Sequence, residues 1–229
     1  MSEQIIRDIR LAIQTAKQDE RNLKNKDRMT LITSAVRKIG REQYQQIRQY
    51  PKVEVFTICE KLLKSDDWSE RTIAFQWAFQ IRRQYEMSDF VLFERWLDQY
   101  VHDWGSCDDV CTHAFGYLIF LFPGLISNVK NWIPSEDRWF RRGAAVVMIY
   151  GNRRGENIEP AFEIADQLLM DDDYLVQKGY GWMLKEITKT EPIRVFDFVM
   201  ERKVSMPRTS LRYAIEKLPP ELRQKAMEK

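Results

Sequence analysis

The chain has 229 residues, enough for one large domain or two small ones, since about 150 residues per domain is only a soft prior. Its 44% hydrophobic and 31% charged residues, with only 9 Gly and 8 Pro, suit a soluble helical protein better than a β-rich or disordered one. A net charge of +2 gives no bulk reason to bind a polyanion, so any nucleic-acid surface must come from segregating the 36 Lys and Arg away from the 34 Asp and Glu. Apolar runs fall short of the roughly 18 residues a membrane span requires, the most apolar being Ala114 to Leu125. The N-terminal stretch Met1 to Asp8 lacks the layout of a secretory signal, and 3 Cys form no disulfide framework. A cytoplasmic protein without membrane attachment is expected.

Helical periodicity predicts segments over 3–17, 29–46, 53–64, 67–84, 88–101, 107–122, 136–150, 158–169, 173–188, 191–202, 207–217 and 219–228. Strand-like alternation is missing throughout. Tyr50-Pro51, Phe122-Pro123-Gly124, Ile133-Pro134-Ser135, Gly151 to Gly155 and Met206-Pro207 punctuate the segments as turns, not linkers. Three acid-rich helix starts share one plan: Ser65-Asp66-Asp67-Trp68, Ser135-Glu136-Asp137-Arg138 and Asp171-Asp172-Asp173-Tyr174. Acids there cap free N–H groups and complement the helix dipole, which by itself needs no functional cause.

Each start passes through a charged residue into an apolar helix, the pattern of an interior layer. The charged positions Arg37, Arg71, Asp108, Arg142, Lys178 and Arg212 recur at a period of about 35 residues, within the range of helix-pair solenoids. An all-α, HEAT-like helical-repeat solenoid spanning 1–229 as one domain is therefore expected. Stacking would align these positions as a basic stripe, interrupted by one acid, along a concave face. The same spacing also suits a simpler account, in which each charge is a solvated boundary of an inner helix.

The most distinctive cluster is His102-Asp103-Trp104-Gly105-Ser106-Cys107-Asp108-Asp109. Trp104 and Asp108 are four apart, so on one helix they share a face. Read alone, Asp108 and Asp109 equally suit first-turn acids beside a core aromatic. Cys107 and Cys111, with His102 and His113 nearby, match no familiar zinc spacing, and thiols on an apolar helix ordinarily pack as filler. A cysteine nucleophile lacks an orienting group, and no glycine-rich phosphate loop occurs. Neither metal nor cofactor is expected.

The order Trp104-x-x-x-Asp108, then Trp139-Phe140-Arg141-Arg142-Gly143-Ala144-Ala145, then Gln177-Lys178-Gly179-Tyr180-Gly181-Trp182-Met183-Leu184-Lys185-Glu186 resembles the signature of the AlkD-like DNA alkylation repair proteins. These are HEAT-repeat glycosylases that excise N3- and N7-alkylated purines. The resemblance runs from about Asp66 to Leu218. It implies a catalytic pair in Trp104 and Asp108, a phosphate-contacting Arg142 that completes the catalytic group, and a DNA-touching aromatic in Trp182. Asp109 and Arg141 leave a one-residue ambiguity at two of these positions. Arg37, Arg71, Arg141, Lys178 and Arg212 join Trp182 as expected DNA contacts. The chain departs from the pattern at Gly105, where the family often has Asp, and at Lys185, where it often has Arg. The N-terminal part matches weakly, through Ile32 to Ile39 with Arg37.

The chemistry so implied is coherent, because an N3- or N7-alkylated purine is already cationic and leaves as a neutral base without a general acid. Bond breaking builds positive charge on the deoxyribose, as in glycoside hydrolysis. A fixed carboxylate opposes that charge and orients water. The expected partner is duplex DNA containing alkylated bases, bound by a monomer. A module that binds distorted DNA without cleaving it, and a protein-interaction scaffold, stay open at this stage.

Overall fold

The computed structural model describes residues 2–23 and 31–228, and within these every regular element is helical. The chain, read from its sequence as one repeat domain, gathers its contacts into two compact units, Met1–Tyr85 and Glu86–Lys229. Among the described residues no single helix is long and apolar enough to cross a membrane.

The first unit contains α1 (Ser2–Leu23), α2 (Thr33–Tyr44), α3 (Lys52–Leu63) and α4 (Trp68–Gln80). Residues 29–30, where the second predicted segment begins, lie outside the described residues. On α1 the buried stripe Ile5, Ile6, Ile9 and Ile13 follows the helical period and faces the other three helices. The inner helix α4 buries Ile73, Ala74, Phe75, Trp77 and Ala78. Trp77 satisfies its indole N–H on the Gly40 carbonyl at 2.7 Å, as a buried donor must.

The second unit runs through α5 (Asp89–Tyr100), α6 (Trp104–Thr112), α7 (Ala114–Leu121), α8 (Ile126–Lys130), α9 (Arg138–Val146), α10 (Ile149–Asn152), α11 (Ile158–Gln167), α12 (Tyr174–Ile187), α13 (Pro192–Arg202), α14 (Arg208–Ala214) and α15 (Pro220–Met227). Inner helices stack side by side, α6 on α9, α9 on α12 and α12 on α14. The predicted 107–122 segment is broken at His113, whose φ of −119° and ψ of −89° separate α6 from α7. Composition gives no sign of that break, because α7 is apolar all round.

Asp67, Asp137 and Asp173 each accept a hydrogen bond from the backbone N–H two residues on, at 2.8 Å, the N-cap role their sequence suggests. A second layer of the motif was not legible. Ser65, Ser135 and Asp171 each accept the N–H of their cap residue, at 3.2, 3.2 and 2.9 Å. Side chains from the helix then reach back to the same three residues: Arg71 to the Ser65 carbonyl, Arg141 to the Ser135 carbonyl and Gln177 to the Asp171 carbonyl. The inner helices α2, α4, α6, α9, α12 and α14 have N-caps at Ile32, Asp67, Asp103, Asp137, Asp173 and Pro207. Those caps set the repeat at 34 to 36 residues.

Candidate functional site

Counting from each cap gives a register that the charge ladder approximates. Arg37, Asp108, Arg142, Lys178 and Arg212 all occupy the fifth helical position. Arg71 occupies the fourth, the register of Arg141 and Gln177, and the fifth position of α4 is Thr72. Arg71 and Arg141 accordingly brace helix starts. Arg141 is held by Asp171 at 2.7 Å and by the carbonyls of Ser135 and Glu136.

In the second unit three of the four fifth positions, Asp108, Arg142 and Lys178, converge. Trp104, Asp108, Arg142, Leu175, Lys178, Trp182, Lys185 and Tyr213 line one groove of about 390 Å³. Four inner helices supply this wall, and its side chains reach the groove because those helices are stacked in register. Arg212, adjacent to Tyr213, is exposed on α14 but does not line the groove. Arg37 is half-buried on α2 of the first unit, where its carbonyl accepts from Gln76 at 3.1 Å. A larger groove of about 680 Å³ lies in the first unit. Among the described residues, Asp8, Asp19 and Glu42 outnumber Lys38 along it, and none of its lining is aromatic.

Local structure separates Asp108 from its neighbour. Asp103 caps α6 through the Ser106 N–H at 2.9 Å and the Ser106 hydroxyl at 2.8 Å. Trp104 is thereby the first helical residue and Asp108 lies in the second turn, so a first-turn acid is not its role. One turn apart, the two face the groove together, Trp104 with 62% of its surface exposed. Asp109 instead faces His113, 3.3 Å from its Nδ1.

Arg142 is buried, and its guanidinium is aimed at Asp108. Nε donates to Oδ1 at 2.9 Å, and Nη2 donates to Oδ1 at 2.7 Å and Oδ2 at 2.9 Å. Nη1 donates to the Leu175 carbonyl on α12. Gly179 permits this approach, because a Cβ there would sit 3.2 Å from Arg142 Cγ and 3.4 Å from Nη1. Burial pushes the Asp108 carboxyl above its ordinary range, and the Arg142 guanidinium offsets part of that shift. Bidentate pairing of this kind fixes a carboxylate in orientation as well as in charge.

On α12, Lys178 and Lys185 are seven residues apart, two turns along one face. The Lys178 ammonium lies 4.1 Å from the Tyr174 ring centre and 5.8 Å from that of Tyr213, while the Lys185 ammonium lies 5.4 Å from Tyr213. Lys185 also pairs with Glu216 at 3.2 Å. Lys185 and Tyr213 were missed as groove residues, although the seven-residue spacing from Lys178 was a readable signal for the first. The groove thus carries three cations, one carboxylate and three aromatic side chains. Cys107 and Cys111 are buried behind it, and burial raises the Cys111 thiol. Among the described residues no group of three His, Cys, Asp or Glu could hold a metal ion.

The sequence profile described as DNA alkylation repair enzyme matches residues 12–218. A solved structure described as "Predicted DNA alkylation repair enzyme from Enterococcus faecalis" has the same fold, with a TM-score of 0.74 at 17% identity, over 84% of this chain and 88% of that one. No curated protein matches the chain at a significant level.

Proposed function

Because the chain belongs to the DNA alkylation repair enzyme family, we propose that within its DNA repair role it hydrolyses the N-glycosidic bond of N3- or N7-alkylated purines in duplex DNA. The observation that carries this reading is the convergence of Trp104, Asp108, Arg142, Lys178 and Trp182 on one groove. Duplex DNA suits a wall that combines cations for phosphates with aromatic faces for sugars and bases.

The reaction balances without a cofactor. As the bond between the sugar C1′ and the purine N9 breaks, its electron pair passes to the cationic base, which leaves neutral. Positive charge moves to the deoxyribose. Water adds to C1′, its proton passes to Asp108 or to solvent, and an abasic sugar remains. Asp108 opposes the developing charge and orients the water. Trp104 offers its exposed face to the same cation, an attraction of about 0.5 to 2 kcal/mol depending on desolvation.

Arg142 acts mainly through Asp108. Its buried guanidinium is directed at that carboxylate, so Lys178 and Lys185 are the cations better placed for phosphates. A second reading, DNA binding without base excision, draws on the same ion pair, since a carboxylate saturated by Arg142 has less to offer a substrate. Incubation with a duplex containing N7-methylguanine, scored for released base, decides between them. Release is the expected result; a duplex that is bound but left intact would overturn the glycosylase reading.

A further inference from the structure

Trp182 stands in the groove wall on α12, and the residue one turn further along, Glu186, lies behind it. Glu186 is buried, with 4% of its surface exposed, and does not line the groove. Its Oε1 accepts the Trp182 indole N–H at 3.0 Å. The same carboxylate takes Arg153 through Nε at 3.1 Å and Nη2 at 3.4 Å, and it also takes the Lys189 ammonium. The Arg153 guanidinium centre lies 5.8 Å from the Trp182 ring. Arg153 comes from the turn after α10, so two elements meet on one carboxylate and one indole.

We infer that Glu186 is a positioning residue, which fixes the Trp182 ring in the orientation it presents to the groove. An indole has a single donor and no acceptor. Half-buried on a helix surface, Trp182 would otherwise choose among rotamers, and a charge-assisted bond to a clamped carboxylate selects one. The cations alone do not account for the arrangement. The side chains of Arg153 and Lys189 are 39% and 51% exposed, and partly exposed pairs of this kind contribute little to stability. What the buried carboxylate adds is a fixed acceptor for the indole.

This inference rests on the groove as the DNA face, but its test does not depend on excision. The Trp182 indole resonance is identified by its loss in Trp182→Phe. Glu186→Met is expected to move that resonance and speed its exchange with water, whereas Glu186→Gln, which keeps an acceptor oxygen, restores most of the wild-type signal. Excision of N7-methylguanine should fall about ten- to a hundredfold in Glu186→Met, the order expected when a substrate-facing group is misplaced. In the Trp182→Phe background the same substitution should cost little more, because the donor it served is gone.

An unchanged indole resonance in Glu186→Met would overturn the inference. Equal losses from Glu186→Met in both backgrounds would do so too. If the wild type releases no base, the glycosylase reading fails, and the cycle is read as duplex affinity with the same two criteria. Should Glu186→Met not fold, Arg153→Met loosens the clamp from its exposed side and is held to the same resonance and coupling tests.

Discussion

At Asp108 two demands compete. On the proposed mechanism the carboxylate must stay charged to oppose a sugar cation, yet burial raises its proton affinity and Arg142 offsets only part of this. Asp108→Asn keeps the shape and one acceptor for Arg142 but deletes the charge, so excision should fall at least about a hundredfold, the usual cost of losing one preorganised electrostatic group. Duplex affinity should hold or tighten, because the carboxylate repels phosphates in the ground state. Asp109→Asn, which alters the residue facing His113, should excise at close to the wild-type rate. Equal excision by Asp108→Asn and wild type would remove Asp108 from the chemistry. In the proposed reaction the ionised form is the active one, so the rate should climb with pH through a limb centred above 3.8, the ordinary carboxyl value. Glu186 shifts in the opposite sense. Burial would raise it, but hydrogen bonds from Arg153, Lys189 and Trp182 outweigh burial and hold it at about 2, below the ordinary 4.5. A depressed acid stabilises the fold above its unfolded value and loses that contribution as pH falls through the folded one. Urea unfolding of wild type against Glu186→Gln should therefore show a small gap that closes as pH drops from about 4.5 toward about 2. A gap independent of pH would argue against the ion-paired state.

At the scale of elements, the groove depends on how closely α12 approaches its neighbours. A Cβ at Gly181 would lie 2.8 Å from the Tyr213 Cβ and 2.9 Å from the Ser210 carbonyl oxygen, so Gly181→Ala must push α14 away. Overpacking of this kind costs about 1 to 3 kcal/mol, and urea unfolding should register it. Because Tyr213 lines the groove, DNA affinity should weaken as well. Unchanged stability would mean that α14 is free to yield. Most helices, the acidic caps and the 35-residue period were legible, because each is written in local spacing, whereas the short α8 falls in no predicted segment and the 136–150 segment divides into α9 and α10. Register within a helix was not. Arg71 and Arg142 look equivalent in a ladder of charges, yet Arg71 shares its position with Arg141, and the bonds from Arg71 to Ser65 and from Arg141 to Ser135 give these two the same role. The choice of Asp108 over Asp109 was illegible for a similar reason: it depends on Asp103 being the cap, which fixes where α6 begins. The direction of Arg142 follows from packing of α9 on α12 across Gly179, a contact no local pattern encodes.

For the whole molecule, a net charge of +2 means that affinity for DNA must be local and readily screened. Much of the basic charge is committed to carboxylates. Arg10 pairs with Glu70, Arg141 with Asp171, Arg194 with Glu159 and Arg202 with Asp166. Lys178 differs, since its ammonium lies against the rings of Tyr174 and Tyr213, which leave its charge uncancelled. Each phosphate neutralised by a lysine contributes about 0.9 to the slope of log affinity against log salt. Lys178→Ala should therefore lower that slope by about 0.9, with a smaller change in Lys185→Ala, where Glu216 already holds part of the charge. Arg142→Ala should behave differently. Its guanidinium is buried against Asp108, so the slope should move little while excision collapses, because the carboxylate loses both its orientation and its compensating charge. Binding isotherms over a salt series, run beside base release for the three variants, separate these roles. A slope that falls as far in Arg142→Ala as in Lys178→Ala would make Arg142 a direct phosphate contact and return the orientation of Asp108 to some other group.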